Sequence, residues 1–461
     1  MDNLNFSRLP IKPEILKNLS ILGYRQMTAI QNKSIDYILD NKDVTAQSKT
    51  GSGKTAAFTI GVLSKIDTSK RSIQALVICP TRELSEQVAK EIRKLARLIP
   101  NVKVLNLSGG TPMFPQIVSL EHGAHCIVGT PGRIQDHLSR KTLRLNKVNT
   151  LVLDEADRML DMGFSEELNY IVNYVPSNRQ TLFFSATYPE NIKSLSCNFQ
   201  KDPLYIKAQE DNNHHDIEQL FFRTRKEDKY SLLTSLLNYH KPSSTIIFCN
   251  TKVTCQSIVK YLQDKGFNAQ AIHGDLEQKD RNLALLLFAN KSTSILVATD
   301  VAARGIDIKD VNAVINFELS RDPQVHIHRI GRTGRAGRKG LAISLSCEKE
   351  KNSLRSIEDL QNKRVNLRDP SFLKDSSQGR AKIIPEMTSL IISSGKKNKL
   401  RPTDILGSLT CNSKLSREDI GKIDIFDFYS YVAIKKNKLS IGLDILSNGK
   451  TKGRYLKVRK I

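Results

Sequence analysis

Two sets of five short apolar runs, separated by longer helix-periodic segments, constrain the fold of this chain more than any other feature. The first set is 74–79, 102–107, 124–128, 150–153 and 180–184; the second is 244–248, 268–272, 294–298, 313–317 and 340–344. Runs this short and this continuously apolar read as strands buried on both faces. Between the first two runs, Leu84, Val88, Ile92, Leu95 and Ile99 recur on one helix face. Segments 252–265 and 278–289 read as helices of the second set. Strands alternating with helices imply parallel sheets covered on both sides, here in two tandem α/β lobes.

Polar and glycine residues follow these runs at once. Examples are Thr81 and Arg82, Gly109 and Gly110, Thr130 and Arg133, Ser185 and Thr187, Asn250 and Thr251, Gly274, and Thr299. Parallel α/β sheets bind ligands outside the carboxyl ends of their strands, so each lobe should carry its chemistry on one edge. Two motifs there form the halves of a nucleoside-triphosphate site. In Ser48-Lys49-Thr50-Gly51-Ser52-Gly53-Lys54-Thr55 the backbone N–H groups and a helix N-terminus can wrap phosphate oxygens. Lys54 adds a point charge and Thr55 a magnesium ligand; Ser48 stands where the generic pattern has glycine. The strand ending Leu151-Val-Leu-Asp154-Glu155-Ala-Asp157 supplies Asp154 for the magnesium ion and Glu155 to orient and deprotonate water.

The chain has 461 residues, too many for one core. Its 71 Lys and Arg exceed 47 Asp and Glu, for a net charge of +24, which points to a polyanionic partner. Seven cysteines form no Cys-x-x-Cys pair, so neither disulfides nor zinc are expected, and the compartment should be reducing. No apolar run reaches ~18–20 residues and the N-terminus lacks a signal core; a soluble, cytoplasmic, monomeric protein without membrane contact is expected. The expected domains are a first lobe at 1–210, a second at 216–366, a linker at 367–385 and a third domain at 386–461. The polar stretch 210–215 joins the lobes, and an amphipathic helix through Leu354, Ile357 and Leu360 ends the second.

Residues 386–461 carry 16 Lys and Arg against 7 Asp and Glu. Their elements read strand (388–392), helix (402–409), strand (423–425), strand (429–434), helix (439–446), strand (455–458). This is the ferredoxin-like α+β order of RNA recognition motifs. Tyr429 and Tyr431 fall on one strand face, with Val432 and Ile434 on the other. The residues leave two readings open for the tyrosines: stacking on bases, or packing beneath the linker. Lys396, Lys397, Lys399, Arg401, Lys452 and Arg454 are candidates for phosphate contact. In the second lobe, the run from His328 to Arg335 is rich in arginine, and such groups can neutralise charge on a transferred phosphoryl group.

In this order, from residue 6 to about 345, the motifs resemble a DEAD-box RNA helicase of superfamily 2; Asp154-Glu-Ala-Asp157 is the name-giving tetrapeptide. The resemblance implies two RecA-like lobes using ATP and Mg2+. It also implies that Gln31 reads the adenine edge, Tyr24 stacks on the ring and Phe6 supports that loop. Asp307 should meet the ribose, with Arg332 and Arg335 as arginine fingers. His328 should bridge the lobes, and Asp157, Ser185 and Thr187 should couple nucleotide state to strand separation. The implied RNA track is Thr81, Arg82, Gly109, Gly110, Thr130 and Arg133, with Asn250, Thr251, Gly274, Gln278, Arg281 and Thr299 from the second lobe. The tail, through 391–407, 419–424 and Gly453-Arg454, is similar to the RNA-binding domain of DbpA-type helicases. That likeness implies large-subunit ribosomal RNA and the assembling large subunit as partners. Two alternatives stay open: an ATP-gated RNA clamp or annealing chaperone, and a DNA-directed translocase of the same superfamily.

Overall fold

The computed structural model describes residues 4–48, 51–188, 190–208, 217–303, 308, 311–334, 339–371, 373, 383–411 and 414–461. Two compact units part near residue 213. The first unit is built on seven strands: β1 (Val44–Gln47), β2 (Ala75–Ile78), β3 (Val104–Leu107), β4 (Cys126–Gly129), β5 (Thr150–Asp154), β6 (Gln180–Ser185) and β7 (Leu204–Lys207). They lie in the order β3-β4-β2-β5-β6-β1-β7, every pairing parallel. Both faces are packed. Val77, Val88, Ile92 and Phe184 lie in one buried cluster, and Leu76, Leu151, Leu153 and Phe183 in another. Alternate residues of one strand thus feed opposite cores, which is why these strands read as continuous apolar runs. The helix after β2 spans Arg82–Leu95, so Ile99 lies beyond its end rather than on it, though buried.

The second unit holds a like sheet and a smaller one. Its large sheet contains β8 (Ile217–Arg223), β9 (Thr245–Cys249), β10 (Ala269–Ile272), β11 (Ile295–Thr299), β12 (Ala313–Asn316), β13 (Gly340–Ser346) and β14 (Leu367–Arg368). The order is β10-β11-β9-β12-β13-β8-β14, again with parallel pairings. The helix Lys351–Gln361 buries Leu354 and Ile357, but Leu360 is exposed. The 210–215 stretch and most of the 367–385 segment lie outside the described residues.

The small sheet contains β15 (Met387–Ile392), β16 (Ile420–Ile425), β17 (Ser430–Lys435) and, after a hairpin of β18 (Lys450–Thr451) and β19 (Arg454–Tyr455), β20 (Val458–Lys460). It is antiparallel, in the order β16-β17-β15-β20. Leu390, Ile392, Val432 and Ile434 face a core that includes Ile405, Leu409 and Leu446 of the helices Pro402–Thr410 and Leu439–Asn448. The strand expected at 455–458 is corrected: Tyr455 belongs to the hairpin, and the fourth sheet strand is Val458–Lys460. The tight Thr451–Arg454 reversal, with Lys452 and Gly453 at positive φ, breaks the segment before the sheet is reached.

Candidate nucleotide site and RNA track

In the first unit, strand order sorts the chemistry. The loops after β1, β5 and β6, three neighbours, carry Ser48–Thr55, Asp154–Asp157 and Ser185–Thr187. Those after β3, β4 and β2, also neighbours, carry Gly109–Gly110, Thr130–Arg133 and Thr81–Arg82. One edge therefore carries the loops expected to hold nucleotide at one end and those expected to hold polymer at the other, meeting where β2 pairs with β5.

At the nucleotide end, Gly53 caps the helix Lys54–Lys65 at φ 95°, a left-handed conformation that glycine adopts without strain. A Cβ there would lie 2.5 Å from Nε2 of Gln31. Gln31 is buried; its Nε2 donates to the Gly53 carbonyl (3.1 Å), and its Oε1 accepts from the Thr28 amide (2.9 Å). The residue expected to read adenine is thus wired into the phosphate turn. Phe6 is buried and meets Tyr24 edge-on at 6.2 Å, while the Tyr24 hydroxyl donates to Glu91 (2.6 Å). Ser48 and Ser52 join their hydroxyls at 2.7 Å, and Lys54 donates its ammonium to the Ser48 carbonyl. The serine in the glycine position therefore has a partner inside the turn. Lys49 and Thr50 lie outside the described residues.

Lys54, Asp154, Glu155 and Asp157 are all buried. Burial pushes Asp154 up to about 7; Glu155 beside it adds to the rise and Lys54 opposes it. Lys54 is lowered by burial against the pull of Asp154 and Glu155. A buried carboxylate such as Asp154 that resists ionising suits a cation, and Thr55 in the first helical turn adds a hydroxyl. Glu155 holds φ 54°, an unusual conformation for a non-glycine residue at a strand end. Arg158, which sequence reasoning passed over, donates to Glu155 Oε2 at 2.9 Å with both side chains buried. The same turn aims Asp157 back at β6: Asp157 Oδ2 accepts from Thr187 N (3.0 Å) and Thr187 Oγ1 (2.9 Å). Burial works against the Asp157 charge, but hydrogen bonds from Ser185 and Thr187 hold it below its ordinary value. The acidic loop and the Ser-Ala-Thr loop are thereby one hydrogen-bonded piece.

At the polymer end, Arg82 lies across Gly109, where a Cβ would come 3.0 Å from Nη2. Thr81 and Thr130 are helix N-caps; Thr81 Oγ1 accepts from Leu84 N (3.2 Å). Arg133 Nη1 donates to the Thr111 carbonyl (3.1 Å) and Gln116 Oε1 (2.9 Å). Gln116 Nε2 donates to the Ser108 carbonyl (3.1 Å), so this unanticipated glutamine ties the Gly109–Gly110 loop to Arg133.

The second unit repeats the plan. Asn250 and Thr251 follow β9, Gly274 follows β10 and Thr299 ends β11, three neighbouring strands, and Gln278 and Arg281 open the helix after Gly274. Arg329 organises this edge, a role not visible in the arginine-rich run. It is fully buried and grips Asp300 with Nε (2.6 Å) and Nη2 (2.7 Å), Asn250 Oδ1 (2.9 Å) and the Glu318 carbonyl (2.7 Å). Arg332 is buried just past the same helix, Pro323–Ile330, which also carries His328. Asp307 and Arg335 lie outside the described residues.

In the small domain, Lys396, Lys397, Lys399, Arg401, Lys452 and Arg454 are exposed. The Lys452 ammonium donates to the Lys399 carbonyl (2.7 Å), bringing the 396–401 loop and the β18–β19 hairpin together. Tyr429 stacks on Phe426 at 5.0 Å. Tyr431 is buried; among the described residues it packs against Leu286 and Leu287 of the large sheet's helix Gln278–Ala289.

Two parallel-sheet lobes with a phosphate turn, a buried acid pair and arginine-ordered loops define a two-lobe nucleic-acid-dependent ATPase. The comparisons name it: the DEAD/DEAH box helicase family matches residues 28–195, the helicase conserved C-terminal domain 228–337, and the DbpA RNA binding domain 389–460. The chain is 48% identical to the ATP-dependent RNA helicase DbpA of Escherichia coli strain K12 over 98% of its own length and 99% of that protein. It is 40% identical to the DEAD-box ATP-dependent RNA helicase CshA of Bacillus subtilis strain 168 over 86% of its length and 80% of that protein. Among solved structures, S. cerevisiae Dbp5 bound to RNA and ADP BeF3 is 29% identical with a TM-score of 0.73, covering 81% of this chain and 99% of that one. The chain belongs to the DEAD-box ATP-dependent RNA helicases of the DbpA type, enzymes that couple ATP to RNA.

Proposed function

We propose that this enzyme separates short RNA duplexes in the assembling large ribosomal subunit, held there by residues 386–461 on large-subunit ribosomal RNA. The observation that carries the reading is the joining, in one chain, of the buried Lys54, Asp154 and Glu155 to a DbpA RNA binding domain. The turn at 51–55 and Lys54 hold the triphosphate, with Gln31 on the base and Asp307 on the ribose. Asp154 and Thr55 hold Mg2+, which supplies charge neutralisation at the phosphates. Glu155, on leaving Arg158, takes the proton of the attacking water at a carboxylate oxygen. Arg332 and Arg335 are assigned to the charge on the transferred phosphoryl group. Thr81, Arg82, Gly109, Gly110, Thr130, Arg133, Asn250, Thr251, Gly274, Gln278, Arg281 and Thr299 are assigned to the RNA backbone, through their hydroxyl, amide and guanidinium donors and close backbone approach. Asp157, Ser185, Thr187 and His328 are assigned to coupling. The cytoplasm and a monomeric state fit this role.

The test compares ATP turnover on a large-subunit rRNA fragment, an unrelated RNA and DNA of the rRNA sequence, with strand displacement measured in parallel. Selective stimulation by the rRNA fragment, with displacement, is expected. Equal stimulation by DNA would make the chain a general translocase, and stimulation without displacement an RNA clamp.

A further inference from the structure

The second unit packs one face of the small sheet onto a helix of the large one. In Gln278–Ala289, Leu283, Leu286 and Leu287, with Asn290 just beyond, follow the i, i+3, i+4, i+7 spacing of a single face. Leu286 and Leu287 bury Tyr431, with Leu283, Ile391 and Phe426 around them. Ile391 and Tyr431 are register partners on β15 and β17, so they share the face opposite the domain's own core. Polar groups lock the contact. Asn290 Nδ2 donates to Ser389 Oγ (2.7 Å), Ser292 Oγ lies 2.9 Å from the same hydroxyl, and all are buried. The Met387 amide donates to the Lys291 carbonyl (3.2 Å), and Lys291 pairs with Glu386 at 2.7 Å. An apolar patch bordered by satisfied buried hydrogen bonds selects one docking pose, because any shift leaves those groups unpaired.

From this packing we infer that the face of the small sheet bearing Tyr431 is an intramolecular docking surface, and that helix Gln278–Ala289 is a strut joining the RNA grip to the RNA track. The strut's first turn carries Gln278 and Arg281; its last turns hold the small domain. The basic residues meant for the anchoring RNA lie elsewhere, in the 396–401 loop and the β18–β19 hairpin, so anchor and joint do not compete. RNA gripped by those loops then sits at a fixed offset from Gln278 and Arg281, and the motor works on the strand beside the anchor. This rests on the reading that residues 386–461 grip ribosomal RNA.

The experiment uses full-length protein, wild type and the variants Tyr431→Ala and Leu286→Ser. Three things are measured: amide hydrogen exchange, affinity for an rRNA hairpin fragment, and ATP turnover on that hairpin with and without an adjoining duplex. Both variants should speed exchange across 283–292 and 387–391 at least tenfold and change hairpin affinity less than about twofold. Leu286→Ser should lose most of the extra stimulation from the adjoining duplex while keeping its turnover on short unstructured RNA. A fall in hairpin affinity of about fivefold or more in Tyr431→Ala, with exchange unaltered, overturns the inference, since that is the loss of a stacked base. Faster exchange at 283–292 in wild type on adding the hairpin overturns it too, because RNA has then taken the face. A wild type with no preference for the rRNA hairpin defeats the ribosomal target instead, while exchange in the absence of RNA still judges the joint.

Discussion

Single side chains at the acid turn have separable duties. Glu155→Gln keeps the shape and removes the proposed base, so ATP turnover should fall at least about 100-fold while nucleotide binding persists. Steady-state ATPase and nucleotide titration check this, and near-normal turnover would remove Glu155 from the role. Arg158→Leu does a different thing. It strands the buried Glu155 carboxylate, and the first unit should lose about 3–5 kcal/mol, read as a lowered unfolding midpoint. His326 gives the protein an acid limb. It is buried against the Phe221 ring with neither ring nitrogen hydrogen-bonded to any described residue, and burial with Arg329 nearby lowers its pKa to about 4. The unfolded chain takes up that proton near 6.5 and the folded one resists, so this stability is full above pH 6.5. It fades as pH falls toward 4, by roughly 3 kcal/mol in all. His326→Phe should flatten that limb in unfolding measured from pH 7.5 to 4.5.

At the scale of elements, loops gain their geometry from neighbours remote in sequence. Arg329, on Pro323–Ile330, holds the loops after β9 and β11 through Asn250 and Asp300. A lysine cannot make those bonds at once, since it lacks the planar fork. Arg329→Lys should therefore raise the RNA concentration for half-maximal ATPase about tenfold or more, with a smaller effect on the ATP requirement. An equal effect on both would point to general unfolding. Among strands, most of the legible ones carry a continuous apolar run because both their faces are buried. The missed ones lack that mark. β1 is four residues with Thr45 and Gln47, β7 is exposed at three of four positions, and β8 is buried only at Leu220–Phe222. Strands without a continuous apolar run owe their place to pairing with neighbours, not to their own composition.

For the whole molecule, the excess of positive charge predicts salt-dependent RNA binding. For a single-stranded contact each phosphate-neutralising cation contributes about 0.7 to the slope of log affinity against log salt. Lys397→Ala in the full chain should lower that slope by about this amount and weaken the rRNA fragment and an unrelated RNA unequally if residues 386–461 choose the RNA. An unchanged slope would take Lys397 out of the interface.

The sequence alone determined the class. Motifs such as Gly51–Thr55 and Asp154–Asp157 are contiguous, because wrapping a phosphate or presenting a carboxylate at a strand end is local backbone work. Binary pattern likewise announced two parallel sheets, and the tail's element order announced the third domain. Tertiary structure alone decided how those pieces are held: Arg158 on Glu155, Gln116 on Arg133, Arg329 on Asp300, and Leu286 and Leu287 on Tyr431. An arginine or a leucine reads the same in a sequence whether solvent, core or another domain covers it. The covering partner is chosen by chain segments up to about 150 residues away (Leu286 to Tyr431), which no local spacing encodes.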